Sequence, residues 1–260
     1  MHLVNASDGH DICRVGDYGM IIMIRTAFII VWVVLETFVL GIVAILTSYF
    51  VRTKDPVHKI AIVWAKLILF VSRIKVTVNG LSNVDPSKSY IYMCNHQSNF
   101  DIPVLLGCLP VQFRWLAKAE LFKIPIFGRG MQSAGYISID RFNRKSAFES
   151  ISEAAERIKG GVSVMIFPEG TRSLDGKIRP FKKGGFVLAV DAGVPIVPVV
   201  LHGTRAIMPK GRLRINPGHV ILEILAPVDT SGYSRETKNE LIERVRNIIC
   251  DSFDRHIEAN

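Results

Sequence analysis

Between Thr26 and Val51 the only formally charged residue is Glu36, and Arg25 and Arg52 bracket the run. Twenty-six helical residues reach about 39 Å at 1.5 Å each. That exceeds the ~30 Å hydrocarbon core of a bilayer. The run is too long for the core of a signal peptide and lacks a convincing small-residue cleavage site. Glu36 is costly at mid-bilayer. After Lys54-Asp55-Pro56 a second helical stretch runs from Val57 to Ile74. Its apolar residues (Ile60, Ile62, Val63, Leu67, Leu69, Phe70, Val71) alternate with His58, Lys59, Lys66 and Arg73, an amphipathic pattern suited to the headgroup boundary. One arrangement is a spanning helix followed by an interfacial one. Another is a two-helix hairpin buried in one leaflet, favoured by Glu36 and by the short turn at Pro56. The third packs both helices on a soluble core. Residues 1–19 are polar and read as a disordered tail, so the membrane-embedding pair is expected over 20–74.

The remaining length suits one catalytic domain over 75–260. Hydrophobic residues are 49% of the chain, and Lys plus Arg number 32 against 23 Asp plus Glu. A basic, apolar-rich chain suits an anionic partner, either a lipid surface or a phosphorylated substrate. Nucleic acid fits poorly, because no interleaving of cations with aromatics accompanies the charge. Cys13, Cys94, Cys108 and Cys250 are scattered without a CxxC, so neither a zinc site nor a disulfide framework is indicated.

From Lys75 onward short apolar runs alternate with helical stretches. Strands are predicted at 75–78, 90–94, 113–117, 136–139, 163–167, 196–201, 212–215 and 220–225, and helices at 101–108, 145–159, 185–191 and 235–257. This is an α/β domain with a mixed central sheet flanked by helices.

Four blocks carry chemistry. In Asn95-His96-Gln97-Ser98-Asn99-Phe100-Asp101, Pro103 sets a helix start close to Asp101. On one helix, residues five apart point about 140° apart. Across a strand-to-helix turn, the carboxylate can fold back onto the imidazole and orient it as a general base. Cys94 and Ser98 are the alternative nucleophiles, although Ser98 lacks the flanking glycines of a nucleophile elbow. The second block ends a strand at Asp140-Arg141, where Arg141 can hold a phosphate. The third, Phe167-Pro168-Glu169-Gly170-Thr171-Arg172, is a tight turn whose N–H groups and cation suit an anion. Lys118 lies between the first two. In the fourth, Val194-Pro195-Ile196-Val197-Pro198, two prolines argue against a fully paired central strand and suit the wall of an acyl channel.

In this order the blocks closely resemble the glycerolipid acyltransferases, within them the bacterial 1-acyl-glycerol-3-phosphate acyltransferases of the PlsC type. The resemblance spans roughly 79–228, and the N-terminal helix pair is similar to that group's membrane motif. It implies that His96 is the base and Asp101 its orienting partner. Arg141, Arg172 and Lys118 would bind the acceptor's phosphate, in a pocket shaped by Glu169, Gly170 and Thr171. Pro195 and Ile196 would support the acyl chain or acceptor. The implied donor is acyl-CoA or acyl carrier protein, with no bound cofactor or metal, and the acceptor is lysophosphatidic acid at an anionic membrane surface. The implied location is the cytoplasmic face of the inner membrane. Acylation of another lysolipid and non-catalytic lipid binding remain the alternatives.

Overall fold

The computed structural model describes residues 8–140 and 144–258, with side chains over 19–140 and 149–256. In chain order the elements are α1 (Asp8–Phe50), α2 (Asp55–Val71), β1 (Ile74–Asn79), β2 (Ile91–Cys94), α3 (Asp101–Cys108), β3 (Arg114–Lys118), α4 (Phe127–Ser133), β4 (Ile137–Ile139), α5 (Arg144–Lys159), β5 (Val164–Ile166), α6 (Gly184–Ala192), β6 (Ile196–His202), α7 (Thr204–Ile207), β7 (Gly218–Ile224) and α8 (Lys238–Glu258).

The seven strands form one mixed sheet in the order β1-β7-β6-β2-β5-β3-β4. Five strands, from β6 through β2, β5 and β3 to β4, run parallel. β7 is antiparallel to β6 and parallel to β1. Parallel strands need both faces covered, so their residues alternate between two cores. In β2, Tyr92 and Cys94 enter one core while Ile91 and Met93 enter the other; in β6, Val197, Val199 and Leu201 oppose Ile196 and Val200. The first core is closed by α2 and α3, and the second by α5, α6 and α8.

α1 begins at Asp8, so its first turns occupy residues expected in the polar tail; residues 1–7 lie outside the described chain. From Gly19 to Phe50 it is long and apolar enough to cross a membrane, and only 17% of its most apolar window is buried within the protein. Phe28, Val34, Leu35, Phe38 and Val39 stand exposed, while Glu36 is turned inward and buried. Packing on a soluble core would have covered those apolar side chains, and it does not.

Three local readings need correction. Arg212–Ile215 forms no strand. His58, expected on the polar face of α2, is fully buried, and its Nδ1 lies 3.1 Å from the Tyr136 hydroxyl. Pro198 sits inside β6, a central strand, opposite Met93 of β2. The sheet accommodates it because Pro198 contributes a carbonyl, to Leu225 N–H at 3.0 Å, where its missing N–H faces the start of the β7 ladder.

Candidate active site

The C-terminal ends of β2, β5, β3 and β4 lie side by side, the edge at which parallel α/β sheets present ligands. β2 hands over to Asn95, whose side chain continues the pairing. Asn95 Nδ2 donates to Leu201 O at 3.0 Å, and Leu201 N donates to Asn95 Oδ1 at 2.8 Å. A side-chain amide thus stands in for a peptide group, and the backbone leaves the sheet at His96.

His96 Nδ1 lies 2.7 Å from Asp101 Oδ2, which also accepts the N–H groups of Gln97 and Ser98 at 2.7 and 2.8 Å. Asp101 is fully buried in the first turn of α3, where the helix's positive end favours a carboxylate. An oxygen receiving three donors is an acceptor, so Nδ1 carries a hydrogen, and in the neutral form of such a ring Nε2 is the atom with the lone pair. The ring is stacked on one face as well as hydrogen-bonded. Phe167 stacks on it with centroids 3.9 Å apart and planes 9° apart, and Trp115 backs Phe167.

Phe167 belongs to the turn after β5. Gly170 there has φ = 73°, a conformation a side chain would strain. Glu169 is 1% exposed and ties the two turns together. Its Oε1 accepts His96 N–H at 2.7 Å and its Oε2 accepts Arg179 N–H at 2.8 Å. Burial pushes its carboxyl up to about 7, although the two N–H groups pull in the opposite direction.

His96 lines a cavity of about 390 Å³, within the range typical of small-molecule sites. Its polar wall includes Lys118, Thr171 and Arg172; its apolar wall comes from α1 (Leu40, Gly41, Ala44), α2 (Ile60, Trp64) and α4 (Met131). The lining thus combines cations with a wall that suits hydrocarbon.

A family model for acyltransferases matches residues 75–202. The structure of a 1-acyl-sn-glycerophosphate (LPA) acyltransferase, PlsC, from Thermotoga maritima superposes with a TM-score of 0.79 at 30% identity, covering 93% of this chain and 98% of that one. The chain belongs to the acyltransferase family. Among curated relatives, a chloroplastic 1-acyl-sn-glycerol-3-phosphate acyltransferase of Brassica napus is 37% identical over 199 residues, 76% of this chain and 56% of that one. The Homo sapiens 1-acyl-sn-glycerol-3-phosphate acyltransferase alpha is 36% identical over 187 residues, 72% of this chain and 66% of that one. The chain spans a little over half the length of the plant relatives it matches.

In this member of the family, His96, Lys118, Gly170, Thr171 and Arg172 converge on the cavity, with Asp101 and Glu169 buried. Arg141 lies outside the described residues. Pro195 and Ile196 do not line the cavity. They sit at the N-terminal end of β6, level with Ile91 at the start of β2, and thus at the far end of the sheet from His96. Neither alternative nucleophile is placed to react. Cys94 is fully buried and its thiol is held well above its usual range by burial. Ser98 is also buried and donates to Met208 O at 2.8 Å. Sequence reasoning missed Asn95, Phe167 and Trp115 as supports of the imidazole. It also missed Lys210, which donates to Thr171 Oγ1 at 3.3 Å and Arg172 O at 3.0 Å. Phe167 and Asn95 flank the motifs directly, a weak signal; Trp115 and Lys210 are far away in the chain and carried none.

Proposed function

We propose that the chain transfers an acyl group from a thioester, of coenzyme A or of acyl carrier protein, to the sn-2 hydroxyl of 1-acyl-glycerol-3-phosphate, making phosphatidic acid. The observation that carries this reading is His96, held through Nδ1 by Asp101, in a cavity lined both by the cations Lys118 and Arg172 and by apolar side chains. The acceptor's phosphate is met by Arg172 and Lys118. Its hydroxyl gives its proton to His96 Nε2 as the oxygen attacks the thioester carbonyl carbon. Asp101 stabilises the imidazolium that results. The tetrahedral oxyanion then collapses, the C–S bond breaks, and the leaving thiolate takes the proton from His96. A thioester is activated already, so the route needs no protein nucleophile.

Catalysis at a membrane surface follows from how α1 is held. Arg25 Nη2 donates to Ser72 O at 2.6 Å, and Ile215 N–H donates to Thr26 Oγ1 at 3.1 Å. Trp64 Nε1–H donates to Thr37 Oγ1 at 2.9 Å, and Gly41 meets Ile126 ahead of α4. Contacts spread along α1 hold it against the α/β body with its other side uncovered. That geometry favours embedding in one leaflet over a perpendicular span.

The test is purified protein in vesicles with lysophosphatidic acid and a panel of acyl-CoA and acyl-carrier donors, read as phosphatidic acid formed. His96→Ala is expected to lower turnover by at least ~10²–10⁴, the range for lost general-base work, with vesicle binding retained. Near-normal turnover in that variant would overturn the mechanism.

A further inference from the structure

The segment after α7 is fastened at three places that the proposed chemistry does not explain. Ser98 Oγ, in the catalytic turn, donates to Met208 O at 2.8 Å, and Ser98 bridges to Pro209. Lys210 Nζ donates to Thr171 Oγ1 and Arg172 O in the acceptor turn. Ile215 is buried and bonded to Thr26, at the start of the uncharged part of α1. Between these fastenings Gly211, Arg212, Leu213 and Arg214 are all exposed, and Leu213 is 72% exposed. Leu213 is two residues from Ile215, at most about 7 Å, so it lies close to the stretch of α1 where Ile24 and Phe28 are exposed. Neither Arg212 nor Arg214 forms an ion pair with a described residue; Arg214 Nε donates to Asn216 Oδ1 at 3.0 Å.

A large apolar side chain between two cations, continuous with the apolar face of α1, matches the edge of an anionic bilayer: hydrocarbon for the leucine and headgroup charge for the arginines. We propose that the Lys210–Arg214 turn is a second membrane contact, which docks on anionic lipid and through Lys210 holds the Thr171–Arg172 turn in its acceptor-binding shape. This rests on the reading of α1 as bilayer-embedded and of the cavity as the site of acyl transfer. Lipid charge would then set the acceptor site's competence as well as the protein's location.

The test uses the full chain in vesicles with and without anionic phosphatidylglycerol. In a background with Cys13, Cys108 and Cys250 replaced by serine, nitroxide labels are placed at Leu213→Cys and, as an aqueous reference, at the exposed Glu236→Cys. In anionic vesicles the label at 213 is expected to be several-fold less accessible to a water-soluble nickel chelate than the reference. Equal accessibility would overturn the contact. The double variant Arg212→Glu/Arg214→Glu is expected to lose about tenfold in acyl transfer to lysophosphatidic acid in anionic vesicles, and to match the parent in neutral-detergent micelles. An equal loss in both media, or no loss in either, would overturn the coupling. A parent protein inactive in both media would overturn the acyl-transfer reading instead, while the label result would still decide the membrane contact.

Discussion

At the scale of single residues, the site depends on side chains that replace backbone. Asn95 satisfies both the N–H and the C=O of Leu201 in a fully buried position. Asn95→Ala would orphan both groups, each costing about 1–3 kcal/mol. A lower thermal midpoint with reduced turnover is expected, measured by melting and by acyl transfer on the same sample. Glu169 makes a second residue-scale prediction. Its carboxyl titrates near 7 when folded, above its ordinary 4.5. The folded chain therefore keeps a proton that the unfolded chain has lost. The stability this contributes is fully present below about 4.5 and is lost as pH rises through about 7. Glu169→Gln cannot ionise, so the parent's melting temperature should fall relative to that variant across this window. A difference independent of pH would refute the assignment. Both residues stood in motifs that the sequence displayed. Their functions were not legible there, because the partners, Leu201 and Arg179, are fixed by strand pairing and by a loop rather than by spacing.

Among elements, one tight fit is between α1 and the turn into α4. A Cβ on Gly41 would lie 2.6 Å from Ile126 Cγ2. Ile126 itself has φ = 63°, a rare conformation for a β-branched residue. A Cβ on Gly128 would meet Phe122 O at 2.2 Å. The turn has little room to yield, so Gly41→Val should force α1 away from α4. The overpacking is expected to cost about 1–3 kcal/mol, seen as a lower midpoint in lipid-reconstituted samples. An unchanged midpoint would mean that α1 lies in lipid without packing on the domain. Most elements were legible because strands buried on both faces read as continuous apolar runs, and because Pro103 and Gly160 mark helix ends. α4 was not legible: its seven residues contain two glycines and no helical period. Arg212–Ile215 alternates like a strand, yet its role is to place Leu213 outside and Ile215 inside rather than to pair.

For the whole molecule, the asymmetry is between a sheet wrapped on both faces and a helix uncovered along one side. Attachment through apolar surface is not screened by salt, whereas attachment through charge is. Washing membranes with molar salt should therefore leave the protein sedimenting with them; release into the wash would show that the exposed face of α1 is not in hydrocarbon. The architecture and the order of the four blocks could be read from the chain. The cavity could not, since its apolar wall joins residues from α1, α2 and α4 with β3 and the turns after β2 and β5, and such convergence has no linear signature. This is also why the sequence does not show that Pro195 and Ile196 lie away from His96: their block is adjacent in order to the others, but it starts its strand where they end theirs.

The position of α1 bears on how a lipid reaches His96. One side of this helix carries Leu35, Phe38 and Val39 outward, and the other presents Leu40, Gly41 and Ala44 to the cavity. With α1 embedded as proposed, leaflet and cavity are separated by one helix, about 10 Å across. A lysolipid that slipped sideways around α1 would exchange one hydrocarbon environment for another. It would avoid the ~0.8 kcal/mol per methylene that passage through water imposes. For substrates with long acyl chains, entry would then be a lateral step within the leaflet rather than an extraction from it, with little dependence of its barrier on chain length.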